Sequence, residues 1–398
     1  MADTGAVQAT NPPKVLIVTG PTGVGKTDLS LTLAEQLNGE IISADSVQVY
    51  RGLDVGSDKI PVEQRRGIVH HMIDVLDRHE EFSAGLFYDK ARQLTEEILE
   101  RGHTPIVVGG TGFYLKWFTY GKPATKDGSV ELKAMLENRL QEAWASAELV
   151  KGSELSEEEK WTEGILLLEQ AGDPEAAKRI GAETNNYYRL MRALEVVVGT
   201  GKVMSELDIN FESSLDYDFR CFFLSRPRLE LFDRIGRRCE QMVRNGILEE
   251  AAMMLDEGLE PSQNCATRAI GYRQAMEYLQ PLFRGESEVT EEGLERLILD
   301  IQSATRQLVK QQTTWFKKDG LYQLVDISNE AFNVAEHIIQ EYNKPKHDGG
   351  FGDHCLTKDE LKAIKCFVAK LHDDPSSRAP VLDWVKKAVE ERLGSSTS

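Results

Sequence analysis

The clearest chemical signature in the sequence is a short glycine-rich run that fits the pattern G-x-x-x-x-G-K-[ST]. Glycines let the backbone turn so that its N–H groups point inward around a phosphate. The lysine of such a run supplies a cation to the outer phosphate, and the hydroxyl that follows is a ligand for Mg²⁺. We therefore predict a polyphosphate site formed by Gly20, Thr22, Gly23, Val24, Gly25, Lys26 and Thr27, with Thr27 as the metal ligand.

Two further polar residues follow other predicted strands. Asp45 comes after a predicted strand at residues 41–43, and Thr111 comes after another at residues 105–108. Ligands of open parallel sheets bind beyond the carboxyl ends of the strands, so we expect Lys26, Asp45 and Thr111 to share one crevice. The strand before Thr111 ends in glycines instead of the aspartate of a magnesium-holding strand. The loop therefore indicates phosphate binding without indicating hydrolysis.

The elements that must position these residues alternate between strand and helix. Residues 15–19 form an apolar strand before the loop, and Leu29, Leu33 and Leu37 have helical spacing after it. Residues 84–101 have the pattern of a second helix, ended by Gly102. This order predicts an α/β fold in which a parallel sheet carries the phosphate loop and is flanked by helices.

The remaining sequence predicts an interrupted core. Residues 1–13 are small and polar and are expected to form a flexible tail, and the core comprises residues 14–125 and 183–340. Residues 126–182 are rich in Glu, Leu and Lys and predict a helical insertion. Residues 321–326 have the pattern of a last strand. Residues 341–398 are expected to be a linker and a helical C-terminal extension, with helices near 359–371 and 380–393.

Composition excludes several classes of protein. The 398 residues include 47 Lys and Arg against 65 Asp and Glu, a net charge of −18, so a nucleic-acid partner requires a local basic patch. Apolar runs are too short to cross a bilayer. Five cysteines without C-x-x-C spacing support neither a disulfide scaffold nor a zinc site. We expect a cytoplasmic protein, with plastid and mitochondrion left open, and we interpret His70 and His71 as packing residues, not metal ligands.

Further segments occur in an order that resembles the tRNA dimethylallyltransferase family. The resemblance spans about residues 15–326. Besides the phosphate loop it rests on residues 43–54, 56–59, 70–75, 108–112, 173–177, 192–196, 269–274 and 305–310. Each segment alone is weakly specific, whereas their joint occurrence in this order is highly specific.

The resemblance implies that a dimethylallyl group passes from dimethylallyl diphosphate to N6 of the adenosine beside the anticodon of a tRNA. The loop then holds a diphosphate leaving group, with Mg²⁺ as the cofactor. The implied catalytic residues are Asp45 as the base for N6, Lys26 at the diphosphate and Thr111 near both substrates. Ser46, Val47 and Gln48 are implied contacts of a flipped base, and the protein is expected to be a monomer.

The resemblance also implies cationic residues that contact tRNA. These are Lys133 in the insertion, which is expected to cover the tRNA stem-loop, and Arg189, Arg192, Arg268, Arg273, Lys310 and Lys317 in the second part of the core. Six arginines between residues 226 and 244 form a further cationic concentration. Gln311 stands where the family commonly has a basic residue, so the details of tRNA contact differ from the family pattern.

Two alternatives remain open at this point. One is the related enzyme that prenylates free AMP, ADP or ATP in cytokinin biosynthesis. It tends to have Asp-Lys where this chain has Asp45 and Ser46, and it lacks the basic helix that contains Lys310. The other is a phosphoryl-transferring kinase, which only the phosphate loop and Asp45 support.

Overall fold

Six parallel strands form one sheet in the part of the chain that the structure describes. This computed structural model describes residues 12–122, 130–182, 187–203, 215–317, 319–329, 332–345 and 375–395. The strands are β1 (Lys14–Thr19), β2 (Gly39–Ser43), β3 (His70–His71), β4 (Thr104–Gly109), β5 (Asp218–Ser225) and β6 (Tyr322–Asp326), in the spatial order β3-β2-β4-β1-β5-β6. The predicted α/β fold with a parallel core is confirmed.

Strand β1 lies at the centre of this sheet and explains its apolar sequence. Its residues Val15, Leu16, Ile17 and Val18 are fully buried. The strand pairs with β4 on one side and with β5 on the other, so that Ile17 is in register with Val107 and Cys221. Strands of a parallel sheet are covered on both faces, which selects a continuous apolar run over an alternating one.

Helices cover the sheet within the larger of two compact units, which comprises residues 1–120, 214–261 and 265–398. Its helices are α1 (Lys26–Leu37), α2 (Ala84–Glu100), α3 (Gly112–Tyr120), α8 (Arg228–Asn245), α9 (Ile247–Asp256), α10 (Cys265–Arg268), α11 (Tyr272–Phe283), α12 (Glu291–Phe316), α13 (Val334–Asn343) and α14 (Pro375–Ser395). A short 3₁₀ turn spans Val62–Gln64. Local sequence sets several helix starts: the Ser83 and Thr290 hydroxyls accept hydrogen bonds from Leu86 and Gly293 N–H.

The second unit consists of residues 121–213 and 262–264 and has its own apolar core. It contains α4 (Val130–Lys151), α5 (Glu157–Gln170), α6 (Pro174–Gly181) and α7 (Tyr187–Thr200). The predicted insertion ended at residue 182, but the unit extends beyond α7. The reason is that Leu190 and Leu194 of α7 are buried in the same cluster as Leu136 of α4 and Leu168 of α5.

The C-terminal extension contains a helix that packs on the larger unit. Val381, Leu382 and Val385 of α14 are buried in the main core, and Arg378 forms an ion pair with Glu291 at 3.1 Å. The predicted helix near 380–393 is present as part of α14, whereas the one near 359–371 lies outside the described residues. Within the described ranges, no helix is long and apolar enough to span a membrane.

Candidate active site

The phosphate loop connects β1 to α1 in a conformation that requires glycine. Gly20, Gly23 and Gly25 have φ angles of 150°, 77° and 111°. A Cβ on Gly20 would lie 2.6 Å from the backbone oxygen of Leu224, so a side chain there would displace β5. The loop ends at the first residue of α1, where the unpaired N–H groups and the helix dipole attract anions.

Lys26 is folded back onto its own loop. Its Nζ donates hydrogen bonds to the backbone oxygens of Gly20 at 2.9 Å and Pro21 at 3.0 Å. Burial disfavours the charged ammonium and the nearby Arg238 repels it, and together they lower the pKa of Lys26 to about 8. An incoming phosphate could replace the two carbonyl oxygens and offset this cost.

Three arginines, one just before α8 and two within it, form hydrogen bonds with the loop. Arg226 Nε donates to Val24 O at 2.9 Å, Arg234 Nε donates to Gly23 O at 3.0 Å, and Arg238 Nη1 donates to Thr22 Oγ1 at 2.8 Å. From the sequence alone these arginines are predicted only as part of a cationic concentration. The spacing of four residues between Arg234 and Arg238 placed them on one helix face, but no local signal in the sequence identified the loop as their partner.

Asp45 lies just beyond β2. Its carboxylate accepts hydrogen bonds within a turn and also lines the cavity. Its Oδ1 accepts hydrogen bonds from the N–H groups of Val47 at 2.8 Å and Gln48 at 3.2 Å. Because both bonds go to Oδ1, Oδ2 can accept a hydrogen bond or a proton from a substrate. The Gln48 side chain bonds instead to Ser43 and to the Ser57 oxygen, which commits it to the protein.

Thr111 begins the turn that leads from β4 into α3. Its backbone oxygen accepts hydrogen bonds from Tyr114 N–H at 3.0 Å and Leu115 N–H at 3.2 Å. Gly109, two residues earlier, packs so tightly against the Ala44 backbone that any side chain there would overlap it. Since Ala44 precedes Asp45, this contact holds the segments of Thr111 and Asp45 together.

Lys26, Asp45, Thr111 and Arg238 line one cavity of about 530 Å³ in the larger unit, whereas Gly20, Gly23, Val24, Gly25, Thr27 and Gln48 are not part of its lining. The polar part of its lining includes Thr22, Lys26, Asp45, Ser46, Thr111, Arg238 and Arg268, and the apolar part includes Val47, Ile235, Met242, Ile270, Ile301 and Leu308. Phe113 and Trp315 add two half-exposed aromatic rings whose centroids are 6.1 Å apart. The predicted convergence of Lys26, Asp45 and Thr111 is therefore present.

The remaining residues of the predicted tRNA surface are not among the residues that line this cavity. Arg273 belongs to a different groove, between α11 and α12, where Glu277 is 3.9 Å away. Lys310 lies on the exposed side of α12, and Lys317 is exposed directly after the last residue of that helix. Lys133, Arg189 and Arg192 belong to the second unit, where Arg192 forms an ion pair with Glu195 at 2.7 Å.

The oxygen ligands near the loop suit a metal ion that binds together with a phosphate ligand. Thr27 offers one exposed hydroxyl in the first turn of α1. Within the described ranges, no group of three or more His, Cys, Asp or Glu side chains could hold a metal ion. His70 instead bonds to the Ile68 oxygen, and His71 lies 2.6 Å from Glu40. Mg²⁺ keeps several waters and takes substrate phosphates as ligands, so a single hard oxygen donor fits it.

Two family models match the sequence. The model described as IPP transferase matches residues 48–319, and the model described as isopentenyl transferase matches residues 13–79. Among curated proteins, tRNA dimethylallyltransferase 9 of Arabidopsis thaliana is 41% identical over 360 residues, which cover 83% of this chain and 74% of that protein. The tRNA dimethylallyltransferase of Protochlamydia amoebophila is 36% identical and is covered to 90%.

Solved structures of similar proteins extend this likeness to the fold. A tRNA isopentenylpyrophosphate transferase of Staphylococcus epidermidis is 30% identical, with a TM-score of 0.56 over 83% of this chain and 99% of that one. A eukaryotic dimethylallyltransferase acting on tRNA is 28% identical, with a TM-score of 0.62 over 83% and 79% of the two chains. The family match over most of the chain and the curated relatives more than 30% identical agree with the site geometry, and the chain belongs to the tRNA dimethylallyltransferase family of prenyltransferases.

Proposed function

We propose that the protein transfers a dimethylallyl group from dimethylallyl diphosphate to N6 of the adenosine next to the anticodon of a tRNA, giving N6-isopentenyladenosine and diphosphate. The observation that carries the proposal is the single cavity in which Lys26 and Asp45 meet apolar and aromatic walls. The cavity therefore offers a cation for the diphosphate, apolar side chains for the dimethylallyl group and aromatic rings for the adenine.

The donor would be held by its diphosphate. The start of α1 and the Lys26 ammonium attract the anion, and Lys26 would exchange the oxygens of Gly20 and Pro21 for phosphate oxygens. As the bond between C1 and oxygen breaks, negative charge grows on the departing diphosphate. Lys26 and Arg238, which lie on the same cavity wall, would stabilise that charge.

The acceptor would be activated by Asp45. N6 of adenine is a weak nucleophile because its lone pair is delocalised into the ring. As the bond between N6 and C1 forms, the surplus proton passes to the Asp45 carboxylate, whose Oδ2 is not used by the turn. The adenine must leave its stack to reach this group, at a cost of about a few kcal/mol. Ser46 and Val47 line the cavity beside Asp45 and would contact the base.

Mg²⁺ is the proposed cofactor, and it would neutralise charge on the diphosphate during transfer. Thr27 is the protein donor that would hold it, because its exposed hydroxyl follows Lys26 in the first turn of α1. Gly20, Thr22, Gly23, Val24 and Gly25 would form the surrounding cradle for the diphosphate.

The proposed tRNA surface begins with Arg268, which lines the cavity, with Lys310, which is exposed on α12, and with Lys317, which is exposed directly after that helix. Arg273, Lys133, Arg189 and Arg192 remain proposed contacts on the grounds of the family resemblance. We further propose a monomer that works in the cytoplasm. The free thiols of Cys221, Cys239 and Cys265 suit a reducing compartment.

The proposal is tested by transfer of radiolabel from dimethylallyl diphosphate in the presence of Mg²⁺, with unmodified tRNA and AMP as parallel acceptors. We expect label at N6 of the adenosine beside the anticodon of tRNA and none in AMP. Label in AMP alone would assign the protein to free-nucleotide prenylation. Absence of label in both acceptors would refute the transfer reaction.

A further inference from the structure

A buried glutamine of α12 joins two of the segments that line the cavity. Gln312 Oε1 accepts a hydrogen bond from Thr22 N–H at 3.1 Å, and its Nε2 donates to Gly110 O at 3.0 Å. Thr22 belongs to the phosphate loop, and Gly110 directly precedes Thr111. One side chain therefore spans from the segment that would hold the diphosphate to the segment that continues into Thr111.

The packing around this amide leaves little freedom. A Cβ on Gly110 would lie 2.5 Å from Nε2 of Gln312, so a side chain at position 110 would displace the amide. On the other side of the same strand end, Gly109 packs against the backbone of Ala44. A continuous series of contacts thus runs from the phosphate loop through Gln312 and the end of β4 to the residue before Asp45.

We propose that Gln312 is a positioning residue that sets the distance between the diphosphate donor and the acceptor group beside Asp45 and Thr111. This inference rests on the proposed transfer reaction. Glutamine offers one acceptor and one donor at fixed spacing without charge, which matches one N–H and one carbonyl oxygen. A misplacement of about 1 Å between reacting groups lowers a rate about 10²-fold, so the loss of either hydrogen bond affects the chemistry more than the fold.

The first test replaces the amide by an apolar side chain of similar length. Gln312→Met should lower kcat about 10²-fold with both substrates saturating. The matched control is Gln302→Met: Gln302 is buried on the same helix, donates to the Gly236 oxygen at 3.3 Å, and is not part of the cavity lining. The control should lower the unfolding temperature to a similar extent while keeping kcat. Equal losses of kcat in the two variants, or no loss in Gln312→Met, would overturn the proposal.

A second test uses a variant in which the side chain at position 312 can gain or lose a proton. In Gln312→Glu the introduced carboxyl group can accept from Thr22 N–H in either protonation state, but it can donate to Gly110 O only when it is protonated. The ratio of the variant's kcat to that of the wild type should therefore rise as pH falls through the titration of this group. A ratio that is independent of pH would contradict the proposed pair of hydrogen bonds.

A binding measurement separates this inference from the transfer reaction. Titration calorimetry with inorganic pyrophosphate should show about tenfold weaker binding to Gln312→Met than to the wild type or Gln302→Met, because Thr22 loses its anchor. A wild type that binds pyrophosphate but transfers no label refutes the proposed function. Wild-type pyrophosphate affinity in Gln312→Met, together with wild-type kcat, refutes the positioning role.

Discussion

Asp45 shows how a single residue combines structural and chemical contributions. One carboxylate oxygen fixes the turn at Val47 and Gln48, and the other is available to the cavity. Replacement by alanine removes both contributions at once. Replacement by asparagine keeps an oxygen for the turn and removes the base, so the two variants differ in what they report.

We expect Asp45→Asn to lower turnover of tRNA about 10²-fold or more, since a general base contributes at that scale. Its affinity for tRNA should stay close to that of the wild type, because the turn persists. Single-turnover label transfer and a filter-binding titration measure the two quantities. Turnover near that of the wild type in Asp45→Asn would remove Asp45 from proton transfer, and Asp45→Ala serves to measure the additional loss of the turn.

The pKa of Lys26 predicts how the affinity for diphosphate changes with pH. In the free protein its pKa is about 8, because burial and then the repulsion from Arg238 disfavour the ammonium. A bound diphosphate raises this pKa, because it places negative charge beside the ammonium. Binding therefore takes up a proton above about pH 8, and the affinity should fall by up to about tenfold per pH unit there.

This prediction is checked by calorimetry with inorganic pyrophosphate over the alkaline range. Pyrophosphate itself titrates, so the affinity of the wild type is divided by that of Lys26→Arg, whose guanidinium stays charged. The ratio should be constant below about pH 8 and should fall above it. A ratio that does not change across this range would contradict proton uptake by Lys26.

At the scale of single residues, the sequence predicted the part of the site that follows local rules. Gly20, Lys26, Asp45 and Thr111 sit in recognisable turns after strands, and their meeting in one crevice follows from the sheet. Gln312 obeys no such rule, because its role depends on the Thr22 N–H, 290 positions earlier in the chain. Such a contact becomes visible only when packing brings the helix to the loop.

At the scale of elements, α12 contributes to two environments along its length. Its buried side carries Gln312, its exposed side carries Lys310, and the exposed Lys317 follows its last residue. The same helix therefore links the proposed tRNA surface to the diphosphate site. The helix and its cations are predictable from the sequence pattern, whereas the contribution of its buried side to the site depends on packing against the phosphate loop.

Lys310→Ala should weaken tRNA binding and reduce the slope of log affinity against log salt concentration by about one, because one phosphate contact is lost. The control is Lys387→Ala on α14, where the lysine is exposed and lies 3.8 Å from Glu391. Binding titrations at several salt concentrations give both slopes. If Lys310→Ala keeps the wild-type slope, Lys310 does not contact the tRNA backbone.

A cluster around Glu40 joins β2, β3 and the turn between α2 and β4, near the residues where β2 and β4 begin. Burial alone raises the pKa of Glu40, but hydrogen bonds from Arg101, His71 and His103 outweigh burial and lower the pKa to about 2. The stabilisation is thus fully present above about pH 4.5, the ordinary value of a glutamate. It is lost as pH falls from there towards 2.

Glu40→Gln should therefore lower the free energy of unfolding by a few kcal/mol at pH 7, since one pKa unit corresponds to about 1.4 kcal/mol. The difference between wild type and variant should shrink as pH approaches 3. Urea titrations at both pH values measure it. An equal difference at pH 7 and pH 3 would show that the Glu40 charge does not stabilise the folded state.

Strand β5 marks the limit of prediction at this scale. Residues 219–224 are apolar and aromatic apart from Arg220, which the sequence analysis left unassigned. Arg220 is fully buried, where it pairs with Asp218 at 2.5 Å and donates to the Glu341 oxygen. A charged residue within a buried strand obscures the apolar pattern of that strand, and one partner of Arg220, the Glu341 oxygen, lies 121 positions later on α13.

At the scale of the whole molecule, the chain comprises two units and an additional C-terminal helix. The IPP transferase match ends at residue 319, yet α14 lies beyond it and completes the main core. Composition predicted the separation of a helical segment from the sheet. The exact extent of that segment, residues 121–213, depends on which core buries α7 and so could not be read from residue patterns alone.

Val385→Asp should lower the unfolding temperature of the larger unit substantially, because Val385 is fully buried and an unpaired carboxylate is costly there. Lys386→Asp is the matched control, since position 386 is exposed on the same helix. Differential scanning calorimetry compares the two. Equal unfolding temperatures would mean that α14 does not stabilise this unit.

The contacts that hold the phosphate loop also determine when, during synthesis of the chain, the loop can bind diphosphate. The arginines that bind the oxygens of the loop and the glutamine that anchors Thr22 are translated 202 to 290 residues after their partners in the loop. A nascent chain that has emerged only to residue 200 carries the whole motif and none of these partners. We therefore expect diphosphate binding to arise late, once α12 has emerged, so that unfinished chains do not compete for the donor.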